Sequence, residues 1–238
     1  MPVKLSARLA CAARHVPAGS AVVDIGTDHA YLPVYLLENG IAGRVVAGEV
    51  RSGPYGIAAG AVRAAGLEDQ IEVRLGDGLQ IISPGEVNVV VLAGMGGRTI
   101  CEILNSGRAV LDGLERLILQ PMRDAPMVRR WLVENNWRMI DEEMVFEDNH
   151  YYVIIVAGPG REKITDSMAL ELGPRLLENR SPVFRRFLLK KRADIAAVLS
   201  ELQTSRGARA LAKRTRLWLE AEKIEEVLDH WPSGQGTL

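Results

Sequence analysis

The sequence predicts an α/β fold: a mostly parallel, doubly wound sheet followed by a helical hairpin. Three observations lead there. Short β-branched runs alternate with helical stretches through residue 157. Glycine-rich and acidic clusters fall where those runs end, at the carboxyl edge where such sheets hold ligands. Beyond Gly160 the strands give way to long amphipathic repeats.

The strands come in order. Residues 21–25 form a buried strand ending in Gly26, and 44–50 the next, closed by Glu49. A small-residue helix over 54–65 stops at Gly66, since glycine readily takes the left-handed conformation that ends helices. Strands follow over 71–75 and 87–92, and a fifth over 117–119 ends at Gln120-Pro121. A helix runs through 128–132, and 139–146 pairs with 151–157 as a closing hairpin. Gly158-Pro159-Gly160 marks a boundary, giving domains 1–160 and 161–238. The second holds one helical stripe with Phe184, Leu188 and Ile195 and another with Leu217, Ile224 and Leu228. Gly207 supplies the turn between them, a coiled-coil-like antiparallel hairpin, and the tail 232–236 is expected to fray. Trp131, Trp137, Trp218 and Trp231 read as packing residues.

Composition narrows the class. The 238 residues are 47% hydrophobic, enough for a core without disulfides or metals. The two cysteines, Cys11 and Cys101, show no metal-ligand spacing to a histidine or to each other, so the expectation is no metal and a reducing cytoplasm. Lys4, Arg8 and Arg14 interrupt the N-terminus, and no long apolar run predicts a signal segment or a membrane span. Charge is uneven. Residues 1–160 carry 14 basic and 19 acidic side chains, whereas 161–238 carry 15 and 11. A basic appendage on an acidic domain suggests a polyanionic partner, against the plainer reading of a solvated helix face.

Four strand-end clusters carry chemistry. In Asp24-Ile25-Gly26-Thr27-Asp28-His29 the loop has a single glycine and a second acid, unlike the three-glycine loop that cradles a pyrophosphate. Two carboxylates repel phosphate but suit the ammonium and sulfonium of S-adenosylmethionine. Asp24 could instead be a helix cap. Glu49 sits where an acid accepts from ribose hydroxyls, or is a solvated strand end. Asp77, in Gly76-Asp77-Gly78, can accept from an adenine amine, or belong to an ordinary turn. Ala93-Gly94-Met95-Gly96-Gly97 follows the fourth strand, opens a helix and leaves room for a flat substrate.

In this order, these clusters resemble the bacterial tRNA (adenine-22-N1)-methyltransferase family. The resemblance extends to Leu5-Ser6-x-Arg8-Leu9, Tyr31-Leu32-Pro33, Gly53-Pro54, Leu117-Ile118-Leu119-Gln120-Pro121, Arg129-x-Trp131-Leu132 and Glu147-Asp148 with Tyr152. Where the family pattern has Asn after Gln120-Pro121, this chain has Met122.

The resemblance implies a Rossmann-like class I methyltransferase domain with a seven-stranded sheet, S-adenosyl-L-methionine as cofactor and tRNA as partner, acting as a cytoplasmic monomer. Asp24, Gly26, Asp28, His29, Glu49, Val50, Asp77, Gly78, Gly94 and Met95 are the implied cofactor contacts. Asp28, Arg8, His29 and Tyr31 are the candidates for catalysis. Arg8 folds over the site toward a phosphate or Asp28, and His29 and Tyr31 stack on the base. Alternatively, His29 caps the helix and Tyr31 packs beneath it. Arg185, Arg186, Lys190, Lys191, Arg192, Arg206, Arg209, Lys213, Arg214 and Arg216 are expected to grip RNA. Two other readings stay open: a class I methyltransferase for another RNA site, a small molecule or a protein, and a non-catalytic RNA-binding protein on this fold.

Overall fold

A computed structural model describes residues 3–202 and 207–231, so Arg206 and the tail 232–236 lie outside the described residues. The chain divides into two compact units between Thr165 and Asp166. The division falls after the glycine-proline break because Gly158 and Pro159 still pair with Arg138 and Trp137 in the sheet. Glu162 then accepts from the Met139 amide at 2.9 Å, holding the following residues to the same unit.

The first unit is built on β1 (Ser20–Ile25), β2 (Ala42–Glu49), β3 (Ile71–Leu75), β4 (Val89–Gly96), β5 (Arg116–Arg123), β6 (Trp137–Glu147) and β7 (His150–Pro159). They form one seven-stranded sheet in the order β3-β2-β1-β4-β5-β7-β6. Strands β1 to β5 run parallel, and β7 is antiparallel to both β5 and β6. Central strands buried on both faces need apolar side chains throughout, and Val89, Val90, Val91 and Leu92 of β4 are fully buried. At the hairpin tip Asp148 and Asn149 both take positive φ, 48° and 62°, the twist that a two-residue antiparallel turn requires.

The helices of this unit are α1 (Ala7–Arg14), α2 (Tyr31–Glu38), α3 (Ser52–Ala65), α4 (Gly97–Ser106), α5 (Arg108–Leu111) and α6 (Ala125–Glu134). The sequence reading missed α1, a short helix held by long-range contacts. Its Arg14 and His15 both meet Glu143 of β6, each at 2.8 Å. His15 lies one helical turn beyond Cys11, so the expectation that no histidine stands at ligand spacing to a cysteine is corrected. Cys11 Sγ, His15 Nε2 and Glu143 lie within 4.8 Å of one another. Burial first, and then the Glu143 charge, push the Cys11 thiol up to about 12, so it remains a neutral thiol. The cluster reads as an anchor for the end of α1.

The second unit contains α7 (Ser167–Leu172), α8 (Pro174–Asn179), α9 (Pro182–Glu201) and α10 (Ala208–Asp229). Pro182 occupies the first turn of α9, where its missing N–H costs nothing, and the Ser181 hydroxyl accepts from Phe184 N at 3.2 Å. Helices α9 and α10 pair as a hairpin around Phe184, Leu188, Ile195, Leu217 and Ile224, all buried.

Candidate active site

Strand β1 has β2 on one side and β4 on the other, so chain connections diverge there and leave a crevice at the strands' carboxyl ends. The crevice opens into a cavity of about 1040 Å³, at the upper end of the range for ligand clefts. Every residue expected to contact cofactor or substrate in the first domain lines it: Arg8, Asp24, Gly26, Asp28, His29, Tyr31, Glu49, Val50, Asp77, Gly78, Gly94 and Met95.

The loops around this cavity are tied to one another. Gly26 and Thr27 amides donate to the Gly48 carbonyl at 2.9 and 3.1 Å, and the Gly76 amide donates to that of Glu49 at 2.9 Å. The Glu49 carboxylate is no solvated strand end. It is 5% exposed and accepts from the amides of Asp28 at 3.3 Å, Val50 at 3.0 Å and Arg51 at 3.3 Å. Asp24 is equally buried, and it does not cap α2, whose N-terminus has no side-chain cap. Burial is the main cause that pushes the Asp24 carboxyl up to about 6; the Thr27 hydroxyl pulls it down and the Glu49 charge adds to the rise. Two buried acids on one cavity wall leave a demand for positive charge, which a cationic ligand meets.

At the mouth, Asp28 and Ala30 both take φ near +54°, an uncommon backbone for residues other than glycine and one that recurs at functional sites. This turn aims the Asp28 carboxylate at His29 Nδ1, 3.0 Å away. The His29 and Tyr31 rings stack with centroids 5.2 Å apart. Tyr31 is 49% exposed, so it does not pack beneath the helix, and His29 does not cap it. Together they form an open aromatic surface.

Arg8 does not reach Asp28. Its guanidinium donates to Gln120 Oε1 at 3.0 Å and lies 3.8 Å from Glu147. The same Gln120 oxygen accepts from the Gly94 amide at 3.0 Å, and Glu147 accepts from the Ala7 amide at the start of α1. Gln120 and Glu147 therefore hold Arg8 at the cavity wall. Both belong to motifs visible in the sequence, but only the fold brings them to Arg8.

The segment 93–97 also departs from expectation. Strand β4 continues through it to Gly96, with register shifts against β5, and only Gly97 starts α4. A Cβ on Gly97 would stand 2.5 Å from the Asp124 carbonyl oxygen, so glycine is required where α4 meets the turn after β5. Met122, half exposed on β5, is not on the cavity wall; its sulfur accepts from Gln120 Nε2 at 3.7 Å.

The model of the tRNA (adenine(22)-N(1))-methyltransferase family matches residues 22–226. The chain belongs to this family. A curated Bacillus subtilis tRNA (adenine(22)-N(1))-methyltransferase is 37% identical over 96% of this chain and 98% of its own. The solved B. subtilis tRNA m1A22 methyltransferase superposes with a TM-score of 0.88 at 36% identity, covering 95% of this chain and all of the other. A Streptococcus pneumoniae relative, solved in complex with S-adenosyl-L-methionine, gives a TM-score of 0.85 at 36% identity over 94% of this chain and all of its own. The match to the family model runs through the helical unit as far as α10.

In that unit the expected basic residues divide into two groups. Lys190 pairs with Asp194 at 2.6 Å, Lys191 with the buried Glu220 at 2.8 Å, and Arg192 with Glu225 at 3.0 Å. Among the described residues, Arg185, Arg209, Lys213, Arg214 and Arg216 form no ion pair. Trp131 and Trp137 are buried and Trp231 packs against Phe184, but Trp218 is 57% exposed, which corrects its reading as a packing residue.

Proposed function

We propose that this chain transfers the methyl group of S-adenosyl-L-methionine to N1 of the adenine at position 22 of tRNA. The observation that carries the reading is the cavity at the strands' carboxyl ends in a member of this family, with buried Asp24 and Glu49 on its wall and the Asp28–His29–Tyr31 cluster at its mouth. Glu49 suits ribose hydroxyls, Asp77 an adenine amine, and Asp24 the ammonium end; Gly26, Val50, Gly78, Gly94 and Met95 shape the surrounding wall.

When bound, the cofactor supplies an electrophilic methyl group on a positively charged sulfur. Adenine N1 carries its own lone pair, so no side chain has to remove a proton before attack. The chain's contribution is position, exclusion of water and electrostatics. Methylation leaves the adenine ring cationic, and the Asp28 carboxylate offsets that charge as it develops. His29 and Tyr31 offer a face on which the base lies, and Arg8 a fixed positive group for a neighbouring phosphate. N1 lies on the Watson–Crick edge, so the base enters unpaired or flipped out.

In this reading the first unit, up to Thr165, is the catalytic domain and the second, from Asp166, the tRNA-binding domain of a cytoplasmic monomer. No helix among the described residues is long and apolar enough to cross a membrane. Nucleoside analysis of tRNA incubated with the chain and S-adenosyl-L-methionine tests the reaction. 1-Methyladenosine is the expected product; tRNA without any new methylated nucleoside contradicts the proposal.

A further inference from the structure

Helix α1 is held to β6 at both of its ends. Glu143 and Glu147 stand four residues apart on β6, so both side chains leave the same face of the strand. Glu147 takes the start of α1 through the Ala7 amide and Arg8. Glu143 takes its end, and there the chemistry differs. His15 follows the last residue of α1 with a helical backbone, φ −89° and ψ −4°, so it stands one turn beyond Cys11 on the same side. The Cys11 sulfur, His15 Nε2 and a Glu143 carboxylate oxygen all lie within 4.8 Å of one another. Among the described residues no other three histidine, cysteine or acidic side chains converge in this way.

Hydrogen bonding does not account for the convergence. His15 Nε2 is buried and stands 2.8 Å from Glu143 Oε1, yet it makes no hydrogen bond. The second Glu143 oxygen accepts from Arg14 at 2.8 Å, which fixes the carboxylate in place. Burial and the Glu143 charge both oppose a bare Cys11 thiolate. A divalent cation among the three groups reverses that opposition, because a coordinating thiol is deprotonated outright. Donor atoms about 2.0–2.3 Å from a tetrahedral zinc stand roughly 3.4–3.6 Å apart, so small side-chain shifts bring these three into range. Cys11 is fully buried while Glu143 is partly exposed, which leaves the approach open on the Glu143 side.

We propose that Cys11, His15 and Glu143 form a zinc site, with water in the fourth position, that clasps the end of α1 to β6. Sulfur and imidazole donors suit a borderline-soft ion, whereas magnesium and calcium require oxygen ligands. On binding, zinc accepts lone pairs from the sulfur, the ring nitrogen and one carboxylate oxygen. The thiol proton leaves to solvent with the displaced waters, and no electron changes hands. Arg14 remains on the other carboxylate oxygen and orients the ligand from outside. None of the three residues lines the cavity, so the ion acts on the seating of α1 and stands apart from the methyl-transfer reading.

The test uses the tag-free full chain, stripped with a chelator and kept reduced, then titrated with zinc alone by calorimetry. Cobalt(II) serves in parallel as a spectroscopic substitute. The expected result is one zinc per chain, a higher Tm with zinc, and the charge-transfer absorption of a cobalt–thiolate bond. Cys11→Ser abolishes that absorption. Cys11→Ser, His15→Gln and Glu143→Gln each weaken zinc binding by more than about 100-fold, beyond the range for loss of an outer-shell partner. Cys101→Ser, which alters the other thiol, leaves both the absorption and the affinity as they are. Circular dichroism confirms the fold of each variant, and His15→Gln and Glu143→Gln carry the test if Cys11→Ser fails to fold. A wild-type chain that does not bind zinc overturns the proposal. Unchanged affinity in His15→Gln or Glu143→Gln, or a cobalt spectrum without the thiolate band, also overturns it.

Discussion

Arg8 and Gly94 donate to one and the same atom, the side-chain oxygen of Gln120, each at 3.0 Å. Gln120 is fully buried and joins α1, the end of β4 and β5 at the cavity wall. Replacing it with leucine strands the Gly94 amide and frees Arg8. The expected cost is about 1–3 kcal/mol of stability for the buried donor, read as a lower urea midpoint. Methyl transfer falls further than stability does, because the displaced Arg8 is part of the site. Unaltered turnover in Gln120→Leu would show that Arg8 needs no such anchor.

Glu49 offers the cleanest separation of cofactor binding from tRNA binding. Glu49→Ala removes the carboxylate assigned to the ribose hydroxyls. Hydrogen bonds to a charged group contribute about 1.5–3 kcal/mol, so calorimetry is expected to show S-adenosyl-L-methionine binding weakened by roughly 10- to 100-fold. Affinity for tRNA stays within about twofold, since the second unit is untouched. Undiminished cofactor affinity contradicts the assignment.

The elevated Asp24 carboxyl gives a pH dependence of known sign. With the folded value near 6, above the ordinary 3.8, the folded chain holds this proton longer than the unfolded chain does. From this group alone, the ligand-free protein loses stability as pH rises from about 4 to about 6, by at most about 3 kcal/mol. A cationic ligand favours the ionised form, so cofactor affinity is expected to rise through about pH 6 and then level off. Asp24→Asn flattens that profile and lowers its plateau. An affinity independent of pH in the unaltered protein contradicts the pairing of Asp24 with the cofactor's ammonium group.

Asp28 is expected to act on the reaction more than on binding. Asp28→Ala keeps the fold and most cofactor affinity, because the carboxylate stands at the open mouth and pairs only with His29 among the described residues. Methyl transfer is expected to fall by about a hundredfold or more, the scale on which a positioned charge stabilises a transition state. Single-turnover kinetics with saturating tRNA measures this directly. Near-normal turnover would remove Asp28 from the mechanism.

What the sequence revealed divides along physical lines. The order of strands and the acidic strand ends were legible because alternation, β-branching and single glycines are local signals. Their closure into one cavity followed from the parallel topology. Helix α1 was not legible: its role depends on Gln120 and Glu147, which are distant in the chain, and no short-range pattern encodes such contacts. The run 93–97 looked like a loop because it is rich in glycine, yet pairing with β5 keeps it extended to Gly96. The basic residues of α9 and α10 were counted correctly, but a count carries no partners. Only the antiparallel register shows Lys191 and Arg192 matched to Glu220 and Glu225 while Arg214 and Arg216 are not.

The central claim is methyl transfer to one particular adenine nitrogen in tRNA. Its most direct test maps the methyl group by mass spectrometry after nuclease digestion of two transcripts, one with adenine and one with guanine at position 22. The account predicts a single new methyl group at adenine 22 in the first transcript and none in the second. Equal labelling of both, or a methyl group at another position, would contradict it.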